Sequence, residues 1–590
     1  MKKTAIRQGY VIKKIFPLAF SNSPFLFFAE IVLFLIYSSF GVAIISATSN
    51  IFALVQLKAT FDDELLKSIS LLIIILILKE LTGALSDLIA KYICEISLTK
   101  FSELTHKKTR TIDTIVFENP NFLDLVEKSE DGVYAVSYYV LNILSLAFYD
   151  TPYLMLIGLY LMQIKPILFL IPFCVCVPVI LNQLIKTKYQ IKYKDEEAPL
   201  NRKKNSYKSY ICELEYFKET RHLGCFRYFY SLYMYVSELL IKKQWKLYSK
   251  EQVVNIINKV ITLSGYLAAI LMLYYSLMDN SISISIFATV FYSLNSVHSN
   301  IEHILSNRIA PIITDDFSSI VSFIKFMELP HRKFGTMSIE SIDSIEAKNI
   351  SFTYPGRDEP AISDIDFKLK KGQLITLVGE NGSGKTTLSK LILGLYKPAK
   401  GHIYINNVDS NDITHTSLFK NKSAVFQNFY KYYFNLANNI SISDFNSIRD
   451  TARLNRISNE VGINVNSNVF PDGYDTILSK NFGGIDLSGG EWQKVAIARG
   501  YYRNNDIIVL DEPTAMIDPI QEDKMYSDIL NIVKNDKIVI VITHRMALVK
   551  QSDVVIYMQG GKIIQKGTHK ELLNNDSYRE FFSTQAKWYQ

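Results

Sequence analysis

Cysteine is scarce in this chain, and the few cysteines do not form the patterns that build disulfides or zinc sites. Five occur among 590 residues, and they are Cys94, Cys174, Cys176, Cys212 and Cys225. None belongs to a Cys-x-x-Cys pair or has the Cys/His spacing of a zinc site. The sequence therefore predicts no disulfide framework and no structural metal site.

Charge is also limited. Charged residues make up 21% of the chain, and the net charge is +7, which is modest for this length. This excess fits an acidic membrane surface better than nucleic acid, so no nucleic-acid partner is expected. A signal-peptide cleavage site is missing as well. The N-terminal lysines precede an apolar stretch of more than about 20 residues without an A-x-A motif, and this stretch is expected to stay as an anchor.

Long apolar segments are abundant, but only before about residue 310. Six of them have about the 20 residues that a bilayer core requires, and they lie at 25–47, 68–90, 136–162, 167–185, 256–278 and 282–304. The two cytoplasmic stretches between spans are much longer than turns and look helical. We therefore expect a transmembrane domain over residues 1–325, with helices that extend into the cytoplasm and short tips at 119–126 and 216–223 that touch the soluble domain.

The distribution of basic residues predicts the orientation of these spans. Lysines and arginines are concentrated before the first span and at 186–204 after the fourth, whereas 278–281 holds only Asp279 as a charge. By the positive-inside rule, both termini lie in the cytoplasm of a multi-pass protein of the cytoplasmic membrane.

A different pattern follows a linker at 326–343, which contains the segment LPHRKFG. Short β-type runs at 350–354, 374–378, 507–510 and 538–542 alternate with helical stretches. This alternation predicts an α/β domain with a largely parallel sheet over residues 344–590. The expected fold class is thus a six-helix membrane domain fused to an α/β P-loop domain.

The first motif of this domain is GENGSGKTT, which lies between an apolar strand and a helix, as a phosphate-binding loop must. Its glycines let backbone N–H groups turn toward phosphates, and the helix N-terminus adds a positive dipole end. Lys385 would neutralise phosphate charge, and the hydroxyl of Thr386 would bind Mg²⁺. The predicted nucleotide contacts are Gly379, Glu380, Asn381, Gly382, Ser383, Gly384, Lys385, Thr386 and Thr387.

A second apolar strand, IIVLDEP, ends in two adjacent carboxylates. Successive residues of a strand point to opposite sides, so the two carboxylates are expected to have different roles. Asp511 is suited to hold the Mg²⁺ shell, and Glu512 can polarise or deprotonate the attacking water.

The sequence LSGGE at 487–491 resembles the signature of ATP-binding-cassette (ABC) proteins. Its Ser488 precedes Asp511 by 23 residues. The resemblance implies ATP and Mg²⁺ as ligands and assigns roles to further residues. Tyr354 would stack on adenine, Gln427 would link Mg²⁺ to the membrane domain, and His544 would contact the γ-phosphate as a catalytic partner of Glu512. Asp518 would lie in the loop that joins the two ATP sites. Six spans followed by one such domain is the layout of the family's exporter half-transporters.

The family also implies a dimer, in which ATP lies between the glycine-rich loop of one subunit and Ser488, Gly489 and Gly490 of the other. Two departures from its pattern are Glu491 in place of glutamine, and Ala-Met-Ile at 515–517 in place of Ser-Ala-Leu. Neither removes a catalytic group, so we expect a homodimer with two competent sites. A degenerate partner subunit is the alternative.

Within the exporters, two stretches resemble the lantibiotic and bacteriocin type: FENPNFLDLVEKSED, and GGIDLSGGEWQKVAIARGYYRNNDIIVLDEPTAMIDP. They imply export of a ribosomal, modified peptide, with peptide-modifying enzymes as possible partners. No cysteine precedes Cys94, so a leader peptidase is expected to be another protein. The alternatives are a lipid or glycolipid flippase, a multidrug exporter, and an ATP-gated channel or regulator.

Overall fold

The computed structural model describes residues 2–56, 63–164, 166, 170–279, 281–309, 315–447, 450–514, 526–527, 529–530 and 536–586. The chain divides into two compact units. Unit 1 consists of Met1–Arg110 and Leu123–Leu329. Unit 2 consists of Thr111–Phe122 and Pro330–Gln590. The short segment Thr111–Phe122 thus belongs with the C-terminal unit, although two helices of unit 1 flank it in sequence.

Unit 1 is helical throughout its described residues, as its apolar composition predicts. Its helices are α1 (Lys2–Asn22), α2 (Pro24–Gln56), α3 (Asp63–Thr111), α4 (Pro120–Ser145), α5 (Thr151–Ile164), α6 (Leu170–Cys212), α7 (Leu214–His222), α8 (Phe226–Met278), α9 (Ile284–His303) and α10 (Asp315–Met327). At 1.5 Å per residue, α3, α6 and α8 each measure roughly 65–80 Å. This length is more than twice a bilayer core of about 30 Å.

Four helical stretches among the described residues are long and apolar enough to cross a membrane: Pro24–Gln56, Asp63–Thr111, Pro120–Ile164 and Phe226–Met278. The predicted fourth span falls on α6, but its first three residues, 167–169, lie outside the described part of the chain. The predicted sixth span falls on α9, whose apolar stretch Ile284–Ser293 is shorter. The count of six spans therefore stays a prediction.

The predicted span 136–162 is not one regular helix. A π-helical turn, Leu146–Asp150, separates α4 from α5. The wider turn brings the buried Asp150 side chain within reach of Ser145, whose Oγ donates to Oδ2 at 3.5 Å. Such π turns widen a helix locally and leave few sequence signals, which explains why the apolar pattern alone did not reveal it.

Unit 2 contains two sheets in its described residues. Its strands are β1 (Ser344–Phe352), β2 (Ile362–Lys370), β3 (Leu374–Gly379), β4 (Lys400–Ile405), β5 (Val408–Asp409), β6 (Lys422–Val425), β7 (Ile507–Asp511), β8 (Ile538–Ile542), β9 (Val554–Gln559) and β10 (Lys562–Gly567). The six-stranded sheet has the order β10-β9-β3-β8-β7-β6 and is parallel except for β10. The predicted parallel sheet is present. The smaller sheet, β2-β1-β4-β5, is antiparallel and was not predicted.

The helices of unit 2 cover and connect these sheets. They are α11 (Lys385–Ile392), α12 (His415–Lys420), α13 (Leu436–Ser441), α14 (Thr451–Glu460), α15 (Gly489–Tyr502), α16 (Met546–Val549), α17 (His569–Leu572) and α18 (Asp576–Ala586). The central strands β3, β7 and β8 are buried along their whole length, as parallel strands covered on both faces must be. Their carboxyl ends meet at one edge, where the candidate site lies.

Candidate functional site

The loop between β3 and α11 can form only with glycine at two positions. Gly379 has φ +150°, and a Cβ there would lie 2.1 Å from the carbonyl oxygen of Met558. Gly384 has φ +98°, and its Cβ would lie 2.7 Å from Cγ2 of Ile362. Neither approach is possible for a larger residue. The loop therefore wraps closely around the start of α11, as a phosphate-binding cradle requires.

Lys385, the first residue of α11, has its ammonium group inside this loop. Its Nζ donates to the carbonyl oxygens of Gly379 and Glu380, each at 2.8 Å, and lies 3.5 Å from Oγ of Ser383. Burial lowers the pKa of Lys385, and the nearby carboxylates of Glu512 and Asp511 oppose this shift. A buried cation held by neutral carbonyls is well placed to bind a phosphate oxygen.

The two carboxylates at the end of β7 point to different partners, as the strand geometry predicts. Asp511 is buried and accepts a hydrogen bond from the hydroxyl of Thr386, with 3.1 Å between Oγ1 and Oδ2. Burial raises the pKa of Asp511. Glu512 has φ +48°, a left-handed conformation that is rare outside glycine.

Glu512 contacts two of the residues that the family resemblance assigns to the site. Nε2 of Gln427 donates to its Oε2 at 2.7 Å, and Nε2 of His544 lies 3.4 Å from its Oε1. Burial lowers the pKa of His544, with Lys385 adding to the shift and Glu512 opposing it. Gln493, which the sequence analysis did not single out, donates from Nε2 to the backbone oxygen of Glu512 at 3.2 Å. Only its position five residues after the signature serine could have indicated it.

These residues line one cleft of about 940 Å³, which is large enough for a small-molecule ligand. Tyr354 lies at its rim, where its hydroxyl is 3.1 Å from Oγ1 of Thr387. The strand predicted to end at residue 354 ends at Phe352 instead, so Tyr354 is on the loop that follows. The predicted residues that line the cleft are Tyr354, Asn381, Gly382, Ser383, Gly384, Lys385, Thr386, Thr387, Gln427, Asp511, Glu512 and His544.

The signature residues lie elsewhere on the same unit. Ser488 caps α15 and is exposed, and the described lining of the cleft includes none of Ser488, Gly489 and Gly490. Ser488 forms a capping box with Glu491: its Oγ lies 2.9 Å and its backbone N 2.8 Å from Oε2 of that residue. The unexpected glutamate thus completes the helix cap. Asp518 and the segment 515–517 lie outside the described residues.

The donor set fits a magnesium nucleotide. The Thr386 hydroxyl, the Asp511 carboxylate and the Gln427 side-chain amide offer the hard oxygen atoms that Mg²⁺ prefers. No group of three or more His, Cys, Asp or Glu side chains suited to a metal ion occurs in the part of the chain that the structure describes. A magnesium ion bound together with a nucleotide needs only two or three oxygen ligands from the protein beside the phosphate-binding loop, because phosphate oxygens and water complete its coordination shell.

Comparison with known proteins gives the family. Residues 362–515 match the family model described as ABC transporter. Over 486 residues, the chain is 29% identical to the subtilin transport ATP-binding protein SpaT of Bacillus subtilis, a match that covers 79% of this chain and 76% of that protein. The structure of a bacterial Atm1-family ABC exporter with ATP bound aligns with 95% of this chain and 97% of its own, at TM-score 0.74 and 19% identity. The chain therefore contains an ABC transporter ATPase domain and has the fold of an ABC exporter.

Two other relatives align with the exporter over shorter stretches. The nisin transport ATP-binding protein NisT of Lactococcus lactis subsp. lactis is 32% identical over 262 residues, which is 44% of each chain. The ATP-dependent lipid A-core flippase of Pasteurella multocida (strain Pm70) is 28% identical over 365 residues, or 60% of each chain. The ABC transporter domain and the exporter fold make this chain an ATPase coupled to transport, with a multi-pass membrane domain. The relatives differ in what they carry.

Proposed function

We propose that the exporter moves a ribosomally made, modified peptide of the lantibiotic or bacteriocin class across the cytoplasmic membrane. The observation that carries this proposal is the extent of the match to the subtilin transport protein. It covers 79% of this chain and therefore includes much of the membrane half, whereas the flippase match covers 60%. Enzymes that modify the peptide would then be partners on the cytoplasmic side.

We infer that the working unit is a homodimer with two ATP sites. The cleft of one chain contains the phosphate loop but no described signature residue, so a second chain would supply Ser488, Gly489 and Gly490. Exposed N–H groups at the start of α15 and the positive end of its dipole would bind the γ-phosphate. ATP would then hold two ATPase domains together, and hydrolysis would release them. Such a cycle is a two-state element that can drive alternating access.

Within each site, the contacts described above suggest a division of roles. Tyr354 would stack on adenine, and the loop from Gly379 to Thr387 together with Lys385 would bind the phosphates. Thr386, Asp511 and Gln427 would hold Mg²⁺, which neutralises charge on the β- and γ-phosphate oxygens when bound. Glu512 would accept a proton from the attacking water, and His544 would orient the γ-phosphate against it.

The Glu512→Gln variant tests the catalytic assignment. An amide has the shape of the carboxylate but cannot accept the proton of the attacking water, so we expect ATP turnover to fall at least about 100-fold. ATP binding should persist, and the closed dimer should accumulate in size-exclusion chromatography with ATP. Turnover close to that of the unaltered chain would refute the role of Glu512.

The cargo is tested in vesicles that contain the purified exporter. Precursors of lantibiotic type, lipids and lipophilic drugs are added separately, and ATPase activity is measured for each. We expect the peptide precursors to stimulate hydrolysis and to become protected inside inverted vesicles. Stimulation by lipids alone would support a flippase instead, and stimulation by drugs alone a multidrug exporter. A current that follows ATP binding without turnover would favour a channel.

A further inference from the structure

One residue of the candidate ATP cleft comes from a distant part of the sequence. Glu118 ends a 3₁₀ turn, Thr114–Glu118, in the short segment that groups with unit 2. It lines the same cleft as Tyr354 and Lys385. The sequence predicts that the neighbouring tip at 119–126 touches the soluble domain, but it does not predict a role for this tip in nucleotide binding.

The Glu118 carboxylate is held against the aromatic wall of the cleft. The hydroxyl of Tyr396 donates to Oε1 of Glu118, and Nζ of Lys390 lies 3.5 Å from the same oxygen. The ring of Tyr396 stacks on that of Phe352 with centroids 5.3 Å apart, and its centroid lies 6.0 Å from that of Tyr354. The carboxylate is thus fixed beside the residue proposed to stack on adenine.

One oxygen of this carboxylate takes part in neither contact. Both Tyr396 and Lys390 approach Oε1, and the Glu118 side chain is 40% exposed. An ionised carboxylate accepts several hydrogen bonds and donates none. Among the described residues, Oε2 makes neither of these contacts, so it can accept a hydrogen bond from a ligand in the cleft that Glu118 lines.

We propose that Glu118 selects adenine by accepting a hydrogen bond from the exocyclic amino group of the base. The inference rests on the proposed function, because it takes Tyr354 as the base-stacking residue. Adenine offers a donor at its 6-position, whereas guanine offers a carbonyl oxygen there. Two acceptors facing each other repel, so the carboxylate disfavours GTP as well as favouring ATP.

The neighbours of Glu118 suit this role. Lys390 lies 5.1 Å from the ring centroid of Tyr396, so one cation contacts both the Glu118 carboxylate and the ring that holds it. Tyr396 uses its hydroxyl to fix the carboxylate, while its ring belongs to the buried core of unit 2. The carboxylate of Glu118 is therefore held in place before the nucleotide binds, which reduces the entropic cost of binding.

The test compares ATP and GTP hydrolysis by the full-length exporter in lipid nanodiscs. We expect the unaltered chain to prefer ATP by at least about fivefold in kcat/KM, because one hydrogen bond is exchanged for one repulsion at a partly exposed site. The side chain of Glu118→Gln can both accept and donate a hydrogen bond, so its preference for ATP over GTP in kcat/KM should fall to about twofold or less. Tyr396→Phe, which releases the carboxylate but keeps the ring, should give an intermediate preference.

Glu127→Gln is the matched control, because it makes the same change at an exposed position of α4 and should keep the preference of the unaltered chain. The proposal is overturned if the unaltered chain hydrolyses both nucleotides equally well, or if Glu118→Gln keeps the full preference. In either case, Glu118 serves only to fasten the segment to unit 2. Tyr354→Ala is expected to lose ATP binding. If this variant still binds ATP, the result counts against the proposed stacking role of Tyr354 and not against Glu118 alone.

Discussion

Arg332 offers the sharpest test of how unit 2 holds its distant segment. Its side chain is 5% exposed, and its guanidinium donates to the carbonyl oxygens of Leu395 at 2.9 Å and Gly394 at 2.7 Å. Nη1 also lies 3.5 Å from Oδ1 of Asp113, and the backbone N–H donates to the oxygen of Thr111 at 2.8 Å. One buried cation therefore joins the turn after α11 to the segment Thr111–Phe122.

The cost of removing this cation follows from its contacts. Arg332→Gln loses two charge-assisted hydrogen bonds and leaves the 24% exposed side chain of Asp113 without this ion pair. Breaking a buried pair by removing one partner costs about 3–5 kcal/mol. The oxygen of Leu395 keeps a bond from the Thr114 hydroxyl, which reduces the loss. We therefore expect a local destabilisation of about 3 kcal/mol, and about half of that for Arg332→Lys, which keeps the charge but not the planar fork.

Amide hydrogen exchange of the full-length exporter measures this effect locally. Because 1.4 kcal/mol corresponds to a factor of ten, Arg332→Gln should speed exchange in peptides covering 111–122 and 393–397 by about 100-fold. Arg332→Lys should speed it by about tenfold. Exchange in β9 serves as the internal reference and should not change. If both variants exchange within about threefold of the unaltered chain, Arg332 does not hold the segment in place.

Three further predictions concern other positions of unit 2. Gly384→Ala would place a Cβ 2.7 Å from Ile362 at φ +98°, so we expect about 2 kcal/mol or more of strain and a KM for ATP raised at least about tenfold in steady-state assays. Burial lowers the pKa of Lys422, whose Nζ donates to the oxygen of Ile392, to about 7. The unfolded chain then binds more protons, and stability rises by about 2 kcal/mol from pH 7 to 9. Stability measured by amide exchange, with rates corrected for the pH dependence of intrinsic exchange, should not show this rise in Lys422→Met. A rise equal to that of the unaltered chain would refute the role of Lys422. In the proposed dimer, Glu491 would lie near the γ-phosphate of the ATP held by the other chain. Glu491→Gln keeps a capping partner but removes this negative charge, so KM for ATP should fall about twofold to fivefold, and a rise would count against the shared site.

The parts of the fold that the sequence predicted well are those in which local pattern and chemistry agree. The run 538–542 became β8 with the same bounds, and 374–378 and 507–510 became β3 and β7 with one more residue each. These strands are buried on both faces, so nearly every residue is apolar and the boundaries are sharp. Thr376 in β3 and Asp511 at the end of β7 are the polar exceptions. The phosphate loop was equally clear, because its glycines, lysine and threonine must stand at fixed spacing.

The features that escaped prediction depend on contacts between residues far apart in sequence. Glu118 and Arg332 both lie outside the predicted ATPase domain at 344–590. No local spacing indicates that the Tyr396 hydroxyl donates to Glu118, or that Arg332 donates to the turn after α11. The antiparallel sheet was missed for a similar reason, since the register shifts between β1 and its neighbours disturb the alternation of apolar residues. The π turn Leu146–Asp150 leaves the apolar pattern of its span intact.

The membership of Thr111–Phe122 in unit 2 affects the order in which the protein can be completed during synthesis. Ile115 packs against a core that includes Met558, and about 440 residues separate Phe122 from that methionine. At about 5–20 residues per second, the ribosome needs on the order of 20–90 seconds to make them. During that time, the core against which Ile115 packs is incomplete. The segment Thr111–Phe122 can therefore complete its packing only after the much later strand β9 has been made.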